Sequence, residues 1–471
     1  MEIIHVTAEC YPIAKAGGLG DVLGALPKYQ KALGNQTKVI MPMYKTKFLY
    51  THKFEVAHKG AAKIGDYFFE YTVIKEVTDE LGFQLYMVDI FGLLDRELIY
   101  GYEDDTERFI AFQIAILDWF CSWEYFPNVV HVHDYHTALI PFMMQHCYQF
   151  KKLANVPTVF TIHNAQYQGQ FGWHKSHCIP AWDPWKTGLL EWNNSINPLV
   201  TGIKSAWKVT TVSPNYMNEL RHNSNGLEPI FEYEKGKCSG ILNGIDIDVW
   251  NPETDKYINH NFSKDSFLEG KKQNKQELCD IFGLSIDKPL FVFIGRLVGE
   301  KAADLLPLAI ADSFNNIGRT MNFLILGSGE PHVEGQLEVL KNISWGDYNV
   351  YIGYNEALSH KMYAGADFLL MPSRVEPCGL NQLYALRYGT VPVVRNTGGL
   401  KDTVKDFGES DGYGITFNNA DVGDFTQAIY RGVQLYQNSE KMMEICKTMM
   451  ELNFSWDKSA EDYINLYSSL Q

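Results

Sequence analysis

Arg296 and Lys301 stand five residues apart, just after the short apolar run at 290–294. A guanidinium offers a two-pronged fork to phosphate oxygens, and an ammonium is a mobile point charge. A turn that wraps back between them lets the pair reach two oxygens of one diphosphate. A second stretch, Met371-Pro-Ser-Arg-Val-Glu-Pro-Cys-Gly-Leu-Asn-Gln-Leu383, delivers Glu376 at the end of another apolar run. Pro377 and Gly379 then open a helix whose first amides, at Gly379, Leu380 and Asn381, lack a carbonyl within the helix and suit phosphate. An Arg-x4-Lys spacing alone carries little, and Pro-Cys-Gly alone is only a helix start.

Near the N-terminus, Lys15-Ala-Gly-Gly-Leu-Gly-Asp21 follows a first strand and precedes a helical pattern at 22–33. Gly17 and Gly18 there let backbone amides approach an anion at a helix N-terminus. The dinucleotide fingerprint G-x-G-x-x-G does not fit, because its third glycine is Leu23 and Met41-Pro-Met-Tyr44 offers no acidic residue. Lys15 by itself is an ordinary surface lysine.

His131-Val-His-Asp-Tyr-His136 places two imidazoles on one strand face, as zinc ligands are placed. The metallo-β-lactamase order H-x-H-x-D-H needs its aspartate one place later, and no further group completes the set. These residues therefore read as strand-end groups lining a cleft, and no metal is expected. His163 and Asn164 end another apolar run, where a lone histidine by itself reads as a satisfied core group.

The elements that must position these groups are short apolar runs with helical stretches between them, the pattern of parallel β-α-β construction. Strands are expected near 3–7, 38–41, 84–88, 129–132, 158–162 and 209–212, then near 290–294, 323–326, 349–352, 368–371 and 391–394. At 471 residues the chain needs two domains, and 46% hydrophobic with 21% charged residues is globular composition. The boundary lies between 232 and 244, followed by a polar stretch at 251–274. The segment 454–470 reads as an amphipathic helix with Trp456, Tyr463 and Leu466 on one side.

Net charge is −15, and the nearest thing to a basic patch, Lys271, Lys272 and Lys275, reads as a solvated surface, so a nucleic-acid partner is not expected. The eight cysteines show no C-x-x-C spacing. With no leader-like or membrane-length apolar segment, the expectation is a cytoplasmic protein without a membrane partner.

Taken together the motifs resemble those of the bacterial glycogen synthases and plant starch synthases. The matches are Lys15-x-Gly-Gly-Leu19, the strand-end Asp134, His163-Asn164, Asn243-Gly-Ile-Asp246, Arg296 with Lys301, Ile352-Gly-Tyr354, Pro372-Ser-Arg-x-Glu-Pro-Cys-Gly-Leu380 and Gly398-Gly399-Leu400-Lys-Asp402. Departures are Tyr135 for the usual Trp, Ala302 for Gly and Val375 for Phe. Many retaining transferases carry a second glutamate eight places after the first; here Tyr384 stands there, as the narrower family implies.

The resemblance implies an α/β GT-B fold: two Rossmann-like parallel-sheet domains, 1–238 joined by the helix 454–471, and 239–453, facing a deep cleft. It implies transfer of α-glucose from ADP-glucose to the nonreducing 4-hydroxyl of an α-1,4-glucan (glycogen or maltooligosaccharides), with retention and no cofactor or metal. UDP-glucose is the alternative donor, and a catalytically weak glucan-binding protein the alternative function. By the same resemblance Lys15, His163, Arg296, Lys301 and Glu376 are catalytic. Gly17, Gly18, Asn243, Tyr354, Cys378, Gly379, Leu380 and Asn381 bind the donor, with Tyr354 against the base, and Asp21, Asp134 and Asn164 line the sugar site. The tryptophans at 173, 182, 185 and 192 read either as a self-packed loop or as a platform for the glucan.

Overall fold

The computed structural model describes residues 1–78, 80–344 and 346–471, in two compact units: Met1–Asn243 with Trp456–Gln471, and Gly244–Ser455. The first unit contains β1 (Glu2–Val6), β2 (Gln36–Pro42), β3 (Phe54–Ile64), β4 (Tyr67–Glu76), β5 (Gln84–Asp89), β6 (Val129–His133) and β7 (Thr158–Ile162). A small ribbon, β8 (Glu191–Trp192) with β9 (Ser195–Ile196), precedes β10 (Lys208–Thr211) and β11 (Cys238–Gly240). The nine-stranded sheet runs β11-β10-β7-β6-β1-β2-β5-β4-β3. Its central strands are parallel and buried on both faces, which is why they read as continuous apolar runs.

The sheet ends in an antiparallel hairpin, β3 and β4, that the apolar-run pattern does not announce. In β3 exposed and half-buried residues alternate, as in Lys59-Gly-Ala-Ala-Lys63. In β4 the buried Phe69, Tyr71 and Val73 alternate with wetter neighbours, so one face stays wet and no solid buried run forms. The helix Gly18–Ala32 begins four residues ahead of the expected 22–33, because the glycine turn itself supplies its first turn. The C-terminal helix, Trp456–Ser468, packs into the core of this first unit through Trp456, Tyr463 and Tyr467, while Leu466 is only partly buried.

The second unit holds β12 (Leu290–Ile294), β13 (Asn322–Gly327), β14 (Tyr348–Ile352), β15 (Phe368–Met371), β16 (Val391–Arg395) and β17 (Ile415–Phe417). All its strand pairs are parallel, in the order β14-β13-β12-β15-β16-β17. The loops after β12, β14, β15 and β16 therefore open at one edge of the sheet, where ligands gather in α/β folds.

The reading of Lys271 and Lys275 as solvated is wrong. Both lie on the helix Phe267–Phe282 and both are buried; of the three lysines only Lys272 is exposed. Lys271 Nζ donates to Thr390 Oγ1 at 2.7 Å and to the carbonyls of Tyr388 and Ala364 at 3.1 and 3.2 Å. Burial lowers its pKa to about 8. Lys275 pairs with Asp367 at 2.8 Å. Local composition cannot reveal acceptors that arrive from 90 residues or more downstream.

Candidate active site

In the second unit, β12 carries the chain to Arg296 and β15 carries it to Glu376. Lys301 Nζ sits 2.7 and 2.6 Å from the two carboxylate oxygens of Glu376, and Ser373 Oγ donates to the same carboxylate at 2.9 Å. Glu376 is buried, and its side chain is 7% exposed against 23% for Lys301, so the ammonium is the wetter partner. Arg296 is half exposed and pairs with Glu300 at 3.2 Å. Arg374 binds Asp304 through both guanidinium nitrogens, at 2.6 and 2.8 Å, and fixes the turn that carries Lys301.

Ala302 occupies a left-handed conformation at φ 52°, fully buried. The glycine expected there from the family resemblance would relieve a strain of about 1–2 kcal/mol. It would also lose a buried methyl worth about 0.8 kcal/mol and some chain entropy, so the two choices nearly balance. The turn keeps its bonds, Lys301 and Ala302 donating to Val298 and Gly299 at 3.0 Å.

Gly379 has φ 74°, and the helix Asn381–Arg387 starts two residues later. Leu380 and Asn381 stand at its N-terminus, where amides lack intrahelical carbonyls. The Asn381 side chain is already engaged, its Nδ2 donating to Ile294 O at 2.6 Å and tying the helix to the end of β12. Cys378 is buried, and its carbonyl accepts from Gln382 at 3.0 Å. Gly398 and Gly399 are needed for contact: an added Cβ would lie 1.9 Å from Glu376 O and 2.1 Å from Cys378 O. Tyr354, after β14, is 76% exposed and presents a broad ring face.

In the first unit, the loops after β1, β6 and β7 share one sheet edge. Asp134 turns the end of β6 with φ 56°, and its Oδ1 accepts the backbone N–H of His163 at 2.7 Å. The N–H of Asn164 lies 3.5 Å from the same oxygen, and Asn164 Oδ1 accepts from Gln166 N at 3.0 Å. Burial pushes the Asp134 carboxyl up to about 7, against the pull of those two amides. Lys15 pairs with Asp21 at 2.7 Å. A Cβ at Gly17 or Gly18 would meet nothing within 4 Å, so packing does not demand these glycines.

Sequence reasoning missed the neighbour of that loop. Glu9 Oε2 accepts the amides of Ala16 and Gly17 at 2.7 and 2.9 Å, while its Oε1 accepts from Tyr100 at 2.6 Å. The anion that these amides hold is thus a side chain of the protein itself. Asn243, nominated for the donor, ends the first unit with its N–H on Val212 O at 3.2 Å and its Oδ1 buried without a partner. Of the tryptophans in the 173–192 segment, Trp185 is 93% exposed and the other three are half-buried.

His131 and His133 gain a third imidazole after all, because β1 pairs with β6 and sets His5 opposite His131. Ring nitrogens of His5, His131 and His133 lie within 4.8 Å of one another. Each ring uses both nitrogens in hydrogen bonds, however: His5 with His133 and Gln30, His131 with Tyr467 and Thr161, and His133 with His5 and His163. The chemistry of the set is that of a chain of neutral imidazoles. Burial lowers all of them, His5 to about 4 and His163 to about 3.

Two Rossmann-like α/β units, the second all-parallel and the first parallel at its centre with an antiparallel edge, have the architecture of a GT-B glycosyltransferase. Residues 2–233 match the starch synthase catalytic domain family, and residues 274–447 match glycosyl transferases group 1. The chain belongs to the glycogen and starch synthase family. It is 51% identical over 468 residues to the glycogen synthase of Flavobacterium johnsoniae, covering 99% of each chain. To the glycogen synthase of Streptococcus pneumoniae it is 36% identical, with both chains fully covered. Among solved structures, the catalytic domain of starch synthase IV from Arabidopsis thaliana, bound to ADP and acarbose, superposes with a TM-score of 0.91 at 31% identity over 99% of each chain. Sucrose-phosphate synthase from Thermosynechococcus elongatus shares the fold at 16% identity and a TM-score of 0.64, covering 100% of this chain and 99% of that one.

Proposed function

We propose that this enzyme extends an α-1,4-glucan by transferring glucose from ADP-glucose to a nonreducing 4-hydroxyl, with retention of configuration. The observation that carries the assignment is the buried Glu376 held by Lys301 and Ser373 at the end of β15, in a chain of this family. As the bond from the anomeric carbon to the diphosphate breaks, positive charge grows on the sugar and negative charge on the leaving group. Arg296, Lys301, Lys15 and the amides at 379–381 oppose the negative charge, and Glu376 orients the glucose and favours the positive one. His163, Asn164, Asp134 and Asp21 are assigned to the sugar, Tyr354 to the base, and Gly17, Gly18, Asn243 and Cys378 to the donor. The wetter Lys301 can turn from Glu376 towards phosphate without uncovering a buried ammonium.

The ADP held by the Arabidopsis starch synthase structure supports adenine over uracil as the donor base, and its acarbose supports a glucan acceptor. The reading calls for no cofactor or metal, since fixed cations can neutralise the leaving group. A cytoplasmic location is supported by eight free cysteines and by the lack, among the described residues, of any helix long and apolar enough to cross a membrane. The test is nucleotide release with glycogen present, comparing ADP-glucose with UDP-glucose. Release from ADP-glucose alone, abolished in Glu376→Ala, is expected; equal release from UDP-glucose would refute the donor assignment.

A further inference from the structure

His163 is the end of a buried hydrogen-bond chain that no single motif shows. Its Nε2 lies 3.0 Å from His133 Nδ1, and His133 Nε2 lies 3.0 Å from His5 Nδ1. His5 Nε2 lies 2.7 Å from Gln30 Oε1, on the helix Gly18–Ala32. Gln30 Nε2 continues to Tyr467 Oη at 3.2 Å, then His131 Nδ1 at 2.6 Å, Thr161 Oγ1 at 2.6 Å and Thr210 Oγ1 at 2.5 Å. His5, Gln30, His131 and His133 are each at most 0% exposed.

Imidazoles and hydroxyls can each donate or accept at either end. The glutamine amide cannot, because its oxygen only accepts and its nitrogen only donates. We propose that Gln30, His5 and His133 are positioning residues that hold His163 as the Nε2–H tautomer, so that its Nδ1 lone pair is the acceptor offered to the sugar; this rests on the proposed role of His163.

The logic is one proton per ring, since burial keeps all four histidines neutral. Gln30 Oε1 requires the His5 proton on Nε2. His5 Nδ1 is then a lone pair and takes the proton of His133 Nε2. His133 Nδ1 in turn accepts from His163 Nε2, and His163 Nδ1 is left without a proton. On the other arm, Gln30 donates to Tyr467, Tyr467 to His131 Nδ1, and His131 Nε2 to Thr161. Turning the single amide of Gln30 reverses every link and makes His163 Nδ1 a donor, so a residue remote from the sugar fixes the polarity of the site.

The test is a long-range proton–nitrogen correlation spectrum of the full chain labelled with ¹⁵N-histidine, with the His163 signals identified by their loss in His163→Gln. At neutral pH the expected result is a protonated Nε2 and a pyridine-type Nδ1 on His163. In Gln30→Leu, both tautomers of His163 appear, and kcat falls about fivefold with the donor KM nearly unchanged. A protonated Nδ1 in the wild-type protein overturns the proposal, as does a folded Gln30→Leu whose His163 remains wholly Nε2–H. If Gln30→Leu fails to fold, the wild-type spectrum alone decides. The spectrum needs neither donor nor glucan, so it stands or falls separately from the turnover assay.

Discussion

Lys301 clasps Glu376 with its ammonium within 2.7 Å of both carboxylate oxygens, bringing together from 75 residues apart two groups of opposite charge and opposite proposed duty. Removing either is expected to lower kcat at least a hundredfold, the usual cost of losing one preorganised electrostatic group. The double variant Lys301→Ala with Glu376→Ala should lose less than the product of the two single losses, because each single change leaves the other charge unpaired. Steady-state kinetics on the three proteins checks this, and strictly multiplicative losses would show that the two residues act independently.

The close approach of Gly398 to Glu376 O makes a sharp steric prediction. Gly398→Ala would drive a methyl to 1.9 Å from that oxygen at a φ of 47°, so the backbone bearing Glu376 must shift. A stability loss of about 2 kcal/mol or more is expected, with a kcat loss even where the protein is folded. Denaturant unfolding followed by kinetics at low temperature separates the two effects.

Five buried histidines set the acid side of the stability profile. His5 is held at about 4, His163 and His136 at about 3, and His131 and His133 well below the ordinary 6.5. The unfolded chain therefore takes up protons below about pH 6.5 that the native chain refuses until about pH 4, so stability falls as pH falls through that window. Asp134, raised to about 7, acts in the opposite sense and offsets one histidine. Each net proton contributes about 1.4 kcal/mol per pH unit. Urea midpoints at pH 7 and pH 5 should differ clearly; equal midpoints would mean that the native rings already accept protons.

Tyr354→Ala should leave the unfolding midpoint unchanged, since the ring is 76% exposed. A stacked base lost by alanine substitution costs roughly 1–3 kcal/mol, so the donor KM should rise about tenfold with kcat little altered. An unchanged KM would move the base elsewhere.

The central strands of the two sheets were legible because burial on both faces leaves a solid apolar run. The parallel edge strands β11 and β17 were missed, since three residues each are too short to make one. Nor was the β3–β4 hairpin legible, because its buried residues alternate with wetter ones and polar residues such as Glu70, Thr72 and Lys75 break any continuous run. Glu376, Lys301, Arg296, Asp134 and His163 were legible as motif residues at strand ends. Glu9, His5, Gln30 and Ser373 were harder: the first three are single polar residues within or near apolar runs, and their importance lies in partners that only the fold supplies. Lys271 and Lys275 misled for the same reason, since a buried ammonium and a solvated one have the same sequence.

Trp456, Tyr463 and Tyr467 lie after the entire second unit in the chain, yet they belong to the core of the first. During synthesis the first unit emerges with a gap where these three rings belong, and it stays incomplete until every residue of the second has been made. The second unit, Gly244–Ser455, is continuous and can finish first. The first sheet is thus the last to mature, although its strands are the earliest made, and a chain cut at 455 should free an exposed apolar groove for a chaperone to hold.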